Sequence, residues 1–264
     1  MLETGKGSQY HVLRPTLEDF VLEMPRGAQV IYPKDLATIC MIGDIKPGVR
    51  VFETGLGSGA LSMAVLRAGA HITGYEIRED FANRAVANVR SFLGEEPLSR
   101  YSVSIRDAYL GIDEKGFDRM VLDLPEPWNV VPHASEALLP GGILVAYTPS
   151  ITQAVKVREA MKSGWIEERT LEVLHRTWHI EGQAVRPDHR MVAHTAFLTV
   201  GRFLGRPADG RMPSHRTHDC ARRVRAIAQF EAHRLPCRRR HLRGLTAYGL
   251  RLRAWRLLPV PRQI

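Results

Sequence analysis

The sequence predicts an α/β protein: a doubly wound, mostly parallel sheet with an antiparallel edge hairpin. Three observations carry this. From residue 50 onward, short apolar runs alternate with segments of helical period, an order that calls for parallel strands with helices on both faces. Between the first run and the first helical segment, in "VFETGLGSGALSM" (51–63), stand three glycines at alternate positions, where such sheets bind ligands. The last two extended runs have no helix between them, as an antiparallel edge pair requires.

Taken in order, "RVFETG" reads as a buried strand entering a turn, "ALSMAVLRAG" as a helix, and "HITGYEI" as a second strand. "EDFANRAVANVRSFLG" is a helix closed by Gly94. "YSVSIRDA" and "FDRMVLDLP" give the third and fourth strands. "VVPHASEALLPGG" is expected to be a helix that stops at Pro-Gly-Gly, and "ILVAYTPS" the fifth strand. After the helix "ITQAVKVREAMKSGW", the runs "ERTLEVLHRTWHI" and "HTAFLTVGRFL" are expected to pair across a long polar loop.

Composition narrows the class. With 264 residues, 44% of them hydrophobic, the chain can bury a sizeable core. No apolar run has the length of a membrane span, and "MLETGKGSQY" lacks the basic, apolar and small-residue order of a signal peptide, so a cytoplasmic protein with no membrane partner is expected. Cys40, Cys220 and Cys237 are too few and too scattered for a disulfide framework or a metal cage; reduced thiols and no metal are expected. The net charge of +9 is unevenly placed. Residues 205–264 hold 15 Arg against Asp209, Asp219 and Glu231, a balance of +12, which leaves residues 1–204 at −3. This tail shows no sustained period and is expected to be disordered or to order only on a partner. It is either a phosphate-binding element or a solvated appendage.

The glycine turn states what kind of ligand it takes. Gly55 and Gly57 can adopt φ values closed to other residues and admit a ligand close to the main chain, while Gly59 permits tight packing at the helix start. The spacing is G-x-G-x-G, preceded by Glu53, rather than the G-x-G-x-x-G of dinucleotide folds. Glu76 ends the second strand 21 positions after Gly55, where a carboxylate can accept both hydroxyls of a ribose. Asp107 follows the third strand, placed to meet an adenine edge, and Asp123 ends the fourth. An acid after each of three strands describes a nucleoside site, and a turn without a pyrophosphate-sized loop suits S-adenosylmethionine.

The segments "LRPTLEDFVLEMPRGAQVIYPKD", "ETGLGSGAL", "YEIREDFANRAVANV", "LDLPEPW", "ITQ" and "WHIEGQAVRPDHRMVAHTAFL" run in order over residues 11–204. Together they resemble the tRNA (adenine-N1)-methyltransferase family that modifies adenine 58 in the T loop. YPKD, D-x-x-x-P-W and HTAFL are more specific than the glycine turn. The resemblance implies a class I methyltransferase (Rossmann-like) fold, S-adenosylmethionine as donor, tRNA as partner and a homotetramer. It assigns cofactor contacts to Gln29, to Ser58, Gly59, Ala60 and Leu61, to Glu76, to Phe81 beside the adenine, to Asp107 and to Asp123. Tyr32 and Tyr147 fall where family members line the target-base pocket. On the same grounds residues 1–34 correspond to the remnant of an N-terminal β domain and its connector, 35–204 to the methyltransferase domain, and 205–264 to an Arg-rich tail without counterpart.

Adenine N1 carries an in-plane lone pair, so attack on a methyl group needs no prior loss of a proton, and the product ring gains positive charge. Asp123 is placed to accept from the exocyclic amine and to offset that charge, which makes it the expected catalytic residue. Trp128 either stacks on the base or fills the wall. His179 and His189 are not required. Two other classes remain: a nicotinamide oxidoreductase on the same fold, and a catalytically weak or inactive RNA-binding partner subunit. The glycine spacing disfavours the first, and the retained turn and Asp123 disfavour the second.

Overall fold

A computed structural model describes residues 2–3, 9–27, 29–162 and 164–205; the sequence expectations for the Arg-rich tail lie outside them. Strands β1 (Leu2–Glu3) and β2 (Gln9–Tyr10) pair antiparallel. Helix α1 (Leu17–Glu23) starts in a capping box: the Thr16 hydroxyl accepts from the Asp19 amide while the Asp19 carboxylate accepts from the Thr16 amide. Helix α2 (Pro33–Ile42) opens on a proline, which loses nothing at a position whose amide has no helical partner.

Then follow β3 (Arg50–Thr54), α3 (Ala60–Arg67), β4 (His71–Glu76), α4 (Glu79–Leu93), β5 (Tyr101–Ile105), β6 (Phe117–Leu122) and α5 (Val131–Ala137). They are succeeded by β7 (Leu138–Thr148), α6 (Ile151–Ala160), β8 (Trp165–Leu171), β9 (Trp178–Glu181), β10 (Ala184–Pro187) and β11 (Phe197–Phe203). Seven strands form one sheet in the order β5-β4-β3-β6-β7-β11-β8. The first five are parallel, and β11 runs antiparallel to both β7 and β8. The expected edge hairpin is therefore present, with β11 inserted inside and β8 outermost.

Each central strand is buried on both faces, as a helix-covered parallel sheet demands. Val51, Val121 and Val145 join Val21, Met24, Leu36, Ile39, Met63 and Val89 on the face covered by α1 to α4. Phe52, Met120, Leu122 and Leu144 meet Val131, Ala134, Val157 and Met161 on the other, under α5 and α6. Val21 and Ile39 are fully buried, so α1 and α2, which precede the elements expected from the sequence pattern, belong to the core.

Two element boundaries differ from expectation. Helix α5 ends at Ala137, not at Pro-Gly-Gly, because Leu138 already pairs with Phe117 and a register shift in β7 absorbs the Pro-Gly-Gly stretch. The run "ERTLEVLHRTWHI" stops as a sheet strand at Leu171. Its "WHI" instead pairs with β10, which lies in the expected polar loop, as a separate two-stranded hairpin, Ile180 facing Val185 and Trp178 facing Pro187. Among the described residues no helix is long and apolar enough to cross a membrane.

Candidate active site

Strand register builds the site. Thr54 at the end of β3 lies opposite Tyr75 on β4 and Leu122 on β6, Glu76 lies opposite Ile105 on β5, and Leu122 lies opposite Ala146 on β7. One step further along the carboxyl edge, Glu76, Gly55, Asp123 and Tyr147 therefore stand in a row at strand spacing, about 4.8 Å apart, with Asp107 just past β5. The strand order reverses between β3 and β6, which is where open α/β sheets bind ligands.

The turn at that reversal is specified by crowding. The Gly55 amide donates to the Tyr75 carbonyl at 3.2 Å, and the Asp123 amide donates to the Thr54 carbonyl at 3.0 Å. With φ +81°, a Cβ on Gly55 would sit 1.9 Å from the Asp123 carbonyl oxygen, so only glycine fits. Gly59, at φ 82°, is the N-cap of α3 and no side chain caps the helix. The amides of Ala60, Leu61 and Ser62 thus lack helical partners and form the positive end of the helix dipole. The Ser58 hydroxyl is buried and has no partner among the described residues.

Three carboxylates face this turn. Glu76, 7% exposed, is held at both oxygens: Oε2 accepts from the Gly57 amide at 3.3 Å and Oε1 from the Arg78 amide at 3.1 Å. Glu53, 1% exposed, accepts from Ser62 Oγ at 2.9 and 3.0 Å, and Ser62 Oγ also pairs with the Tyr101 hydroxyl at 2.9 Å. Burial pushes the Glu53 carboxyl up to about 8, against the Ser62 hydrogen bond and with the charge of Asp123 adding to the rise. Asp123 is pushed up to about 7, by burial and then by Glu76. Among the described residues none of the three forms an ion pair with a lysine or arginine.

The other predicted residues fall on both sides of this row. Asp107 caps a single 3-10 turn, its Oδ1 accepting from the Tyr109 amide at 2.9 Å. Phe81 is half-buried with the Arg78 guanidinium 3.8 Å from its ring centre, and a Cβ on Gly27 would come within 3.1 Å of it, so the chain just before Gln29 passes Phe81. Gln29 itself is exposed. Tyr147 is half-buried, and its hydroxyl is pushed up by burial, by Asp35 and by Asp123, with Tyr32 and Thr195 also acting on it. Register places Tyr147 one strand over from Asp123, and the Asp35–Thr195 hydrogen bond ties the helix that Tyr32 caps to the segment before β11. Trp128 has one face covered by the Lys156 ammonium, 4.4 Å from the ring centre, which leaves at most one face for a base.

Sequence reasoning missed residues that fix this geometry. Gln153 of "ITQ" caps α6 with Ser150 and donates to the Pro125 carbonyl at 2.8 Å, and the Tyr109 hydroxyl accepts from the Glu126 amide at 3.0 Å. The loop after Asp123 is thereby pinned from two sides. Lys34 and Asp35, the second half of YPKD, are almost wholly buried. Their signal was the motif itself; their contacts join distant segments and leave no local pattern.

This strand order, with a glycine turn after β3 and acids at the end of β4 and just beyond β5 and β6, defines a methyltransferase of the class I, Rossmann-like type. A profile described as the tRNA methyltransferase complex GCD14 subunit matches residues 8–194, and the chain belongs to that family. It is 38% identical over 204 residues to the tRNA (adenine(58)-N(1))-methyltransferase TrmI of Thermus thermophilus, covering 76% of this chain and 79% of that one. The fold is similar to that of an S-adenosylmethionine-dependent O-methyltransferase from Thermotoga maritima, with TM-score 0.73 and 34% identity over 78% of each chain. It is also similar to the tRNA (m1A58) methyltransferase TrmI of Aquifex aeolicus, with TM-score 0.68 and 30% identity over 72% of this chain and 77% of that one.

Proposed function

We propose that the protein transfers a methyl group from S-adenosylmethionine to N1 of adenine 58 in the T loop of tRNA. The observation that carries the donor is the group of Glu53, Glu76 and Asp123 around the glycine turn, none of which forms an ion pair with a lysine or arginine among the described residues. Carboxylates in low dielectric favour a cationic ligand and repel a pyrophosphate, which speaks for a sulfonium and against a dinucleotide. The residues present fit the rest of the donor too. Open amides at the start of α3 and the orphan Ser58 hydroxyl suit its carboxylate, and Glu76, fixed at both oxygens, suits the ribose hydroxyls. Gln29, Gly55, Gly57, Gly59, Ala60, Leu61, Phe81 and Asp107 complete the proposed cofactor shell.

When bound, S-adenosylmethionine supplies an electrophilic methyl group. The chain's own residues orient the acceptor. Asp123 in its charged form accepts from the exocyclic amine and offsets the positive charge that grows on the ring, a contribution of order 3 kcal/mol for one preorganised contact. Tyr32 and Tyr147 wall the base, with Trp128 offering its free face, and confinement of N1 in line with the methyl supplies the larger part of the acceleration. The target base must leave its stack to reach the crevice. The choice of adenine 58 rests on the relatives named for that activity. A cytoplasmic homotetramer with 35–204 as its methyltransferase domain belongs to the same reading. Mass spectrometry of nucleosides from unmodified tRNA incubated with protein and donor tests it: 1-methyladenosine is expected, and its absence with donor binding intact would favour the partner-subunit reading.

A further inference from the structure

Behind the proposed base pocket lies a polar triad, buried at Lys34 and Asp35 and half-buried at Thr195, that joins the two ends of the domain. Lys34 and Asp35 have side chains 5% and 0% exposed. The Lys34 ammonium donates to Asp35 Oδ1 at 2.9 Å and Oδ2 at 3.0 Å, and to Thr195 Oγ1 at 2.6 Å. Thr195 Oγ1 in turn donates to Asp35 Oδ2 at 2.6 Å. The hydroxyl is thus used as both acceptor and donor, closing a three-membered ring across a separation of 160 residues. Next to it, His194 is held at both ring nitrogens, Nε2 by the Pro149 carbonyl at 2.9 Å and Nδ1 by Glu172 Oε2 at 3.0 Å. This ties the segment before β11 to the end of β7.

A surface ion pair has no need of such burial, and a buried one gains little net stability over apolar packing. What the triad does provide is a fixed relation between two segments that flank the base pocket. Tyr32 is the N-cap of the helix that carries Lys34 and Asp35, and Tyr147 sits on β7 opposite Leu198, three residues beyond Thr195. Asp35 and Thr195 both act on the Tyr147 hydroxyl.

We infer that Lys34, Asp35 and Thr195 are positioning residues for methyl transfer: they lock Tyr32 and Tyr147 against each other and so set where the target base lies relative to Asp123. Their side-chain hydrogen bonds run among themselves and not to the cofactor turn or the loop after Asp123. The inference rests on the tRNA methyltransferase reading of the site. It predicts a split, with donor binding untouched and turnover lost.

Removing Asp35 would leave the Lys34 ammonium buried alone and risks unfolding, so Thr195, the neutral member, is the place to probe. Thr195→Val keeps the shape, Thr195→Ala is the second deletion, and Thr195→Ser keeps the hydroxyl. Each would be measured for thermal melting, for S-adenosylmethionine affinity by calorimetry, and for kcat and KM on unmodified tRNA transcript. The expected result is a kcat lower by about tenfold or more in the Val and Ala variants, since small misplacement of reacting atoms is costly. Donor affinity and KM for tRNA should stay near the parent values, and Thr195→Ser should restore kcat. Parent-like kcat in a folded Val or Ala variant overturns the positioning role, as does a loss of donor affinity that matches the loss of rate, which would mark the triad as plain scaffold. A parent protein that binds donor but leaves tRNA unmethylated overturns the underlying reading and the triad's role with it.

Discussion

Along the carboxyl edge of the sheet, the tips of β3, β4 and β5 assemble Gly55, Glu76 and Asp107 from turns that immediately follow their strands. The tips of β6 and β7 assemble Asp123 and Tyr147 with a segment that meets Thr195 from 160 residues away. The first half holds its acids with backbone amides: Gly57 and Arg78 to Glu76, Tyr109 to Asp107. The second holds its groups with side chains from other elements, Gln153 to Pro125 and Lys34 to Thr195. On the proposed function the difference would separate binding from turnover: the half built on local amides would present a fixed cradle for the donor, and the half built on long-range side-chain contacts would aim the acceptor.

Asp123→Asn is the substitution with the largest expected effect on that separation. It keeps the shape and removes the charge that offsets the product cation, so methyl transfer at saturating donor should fall by about 10² or more with folding intact. Single-turnover methylation within a factor of a few of the parent would remove the proposed role and erase the distinction between the halves. Glu76→Ala is the converse. Loss of hydrogen bonds to a charged group should weaken donor binding by roughly 1.5 to 3 kcal/mol, with kcat at saturating donor near the parent value. Unchanged affinity in calorimetry would take Glu76 out of the cradle.

The same division explains what could be read from the sequence. Gly55, Glu76 and Asp123 stand at strand ends marked by alternation and glycine spacing, and the parallel order follows from that alternation, so the row on the carboxyl edge was legible. The pairing of Lys34 and Asp35 with Thr195 was not, because no local period records a contact across the whole domain. The early end of α5 was hidden for a related reason: "SEALLPGG" carries good helix formers, and pairing of Leu138 with Phe117 overrides them. In the sequence Glu53 is only an acid before the turn. Its hydrogen bonds to Ser62, and through Ser62 to Tyr101, appear only once β3, α3 and β5 are packed.

Protonation sharpens the comparison more gently. With Glu53 pushed up to about 8 and Asp123 to about 7, the ligand-free native state keeps protons that an unfolded chain, with carboxyls near their ordinary values of about 4, has already released. The native state therefore binds more protons between about pH 4 and 8, and stability falls as pH rises through that window. A cationic donor favours the charged carboxylates, so its affinity should climb over the upper part of the window, by at most about tenfold per pH unit for each group that sheds a proton. Calorimetry in two buffers of different ionisation heat would register the released protons. In Asp123→Asn the rise should be shallower. An affinity flat between about pH 6 and 8 would mean that these acids do not face the sulfonium.

The smallest effect is expected from cutting the chain after Leu204, which removes the +12 charge of residues 205–264 and leaves a body of −3. Every residue of the proposed donor cradle precedes that point, so donor affinity should not move. Any change belongs to tRNA binding, and salt dependence tells whether the Arg-rich segment contacts phosphates: each lost contact should flatten the slope of log affinity against log salt by roughly 0.7 to 0.9. An unchanged slope would leave tRNA affinity to the described domain. A change in donor affinity on the same cut would break the division between the two halves, because it would show the cradle depending on a segment far outside its own strand tips.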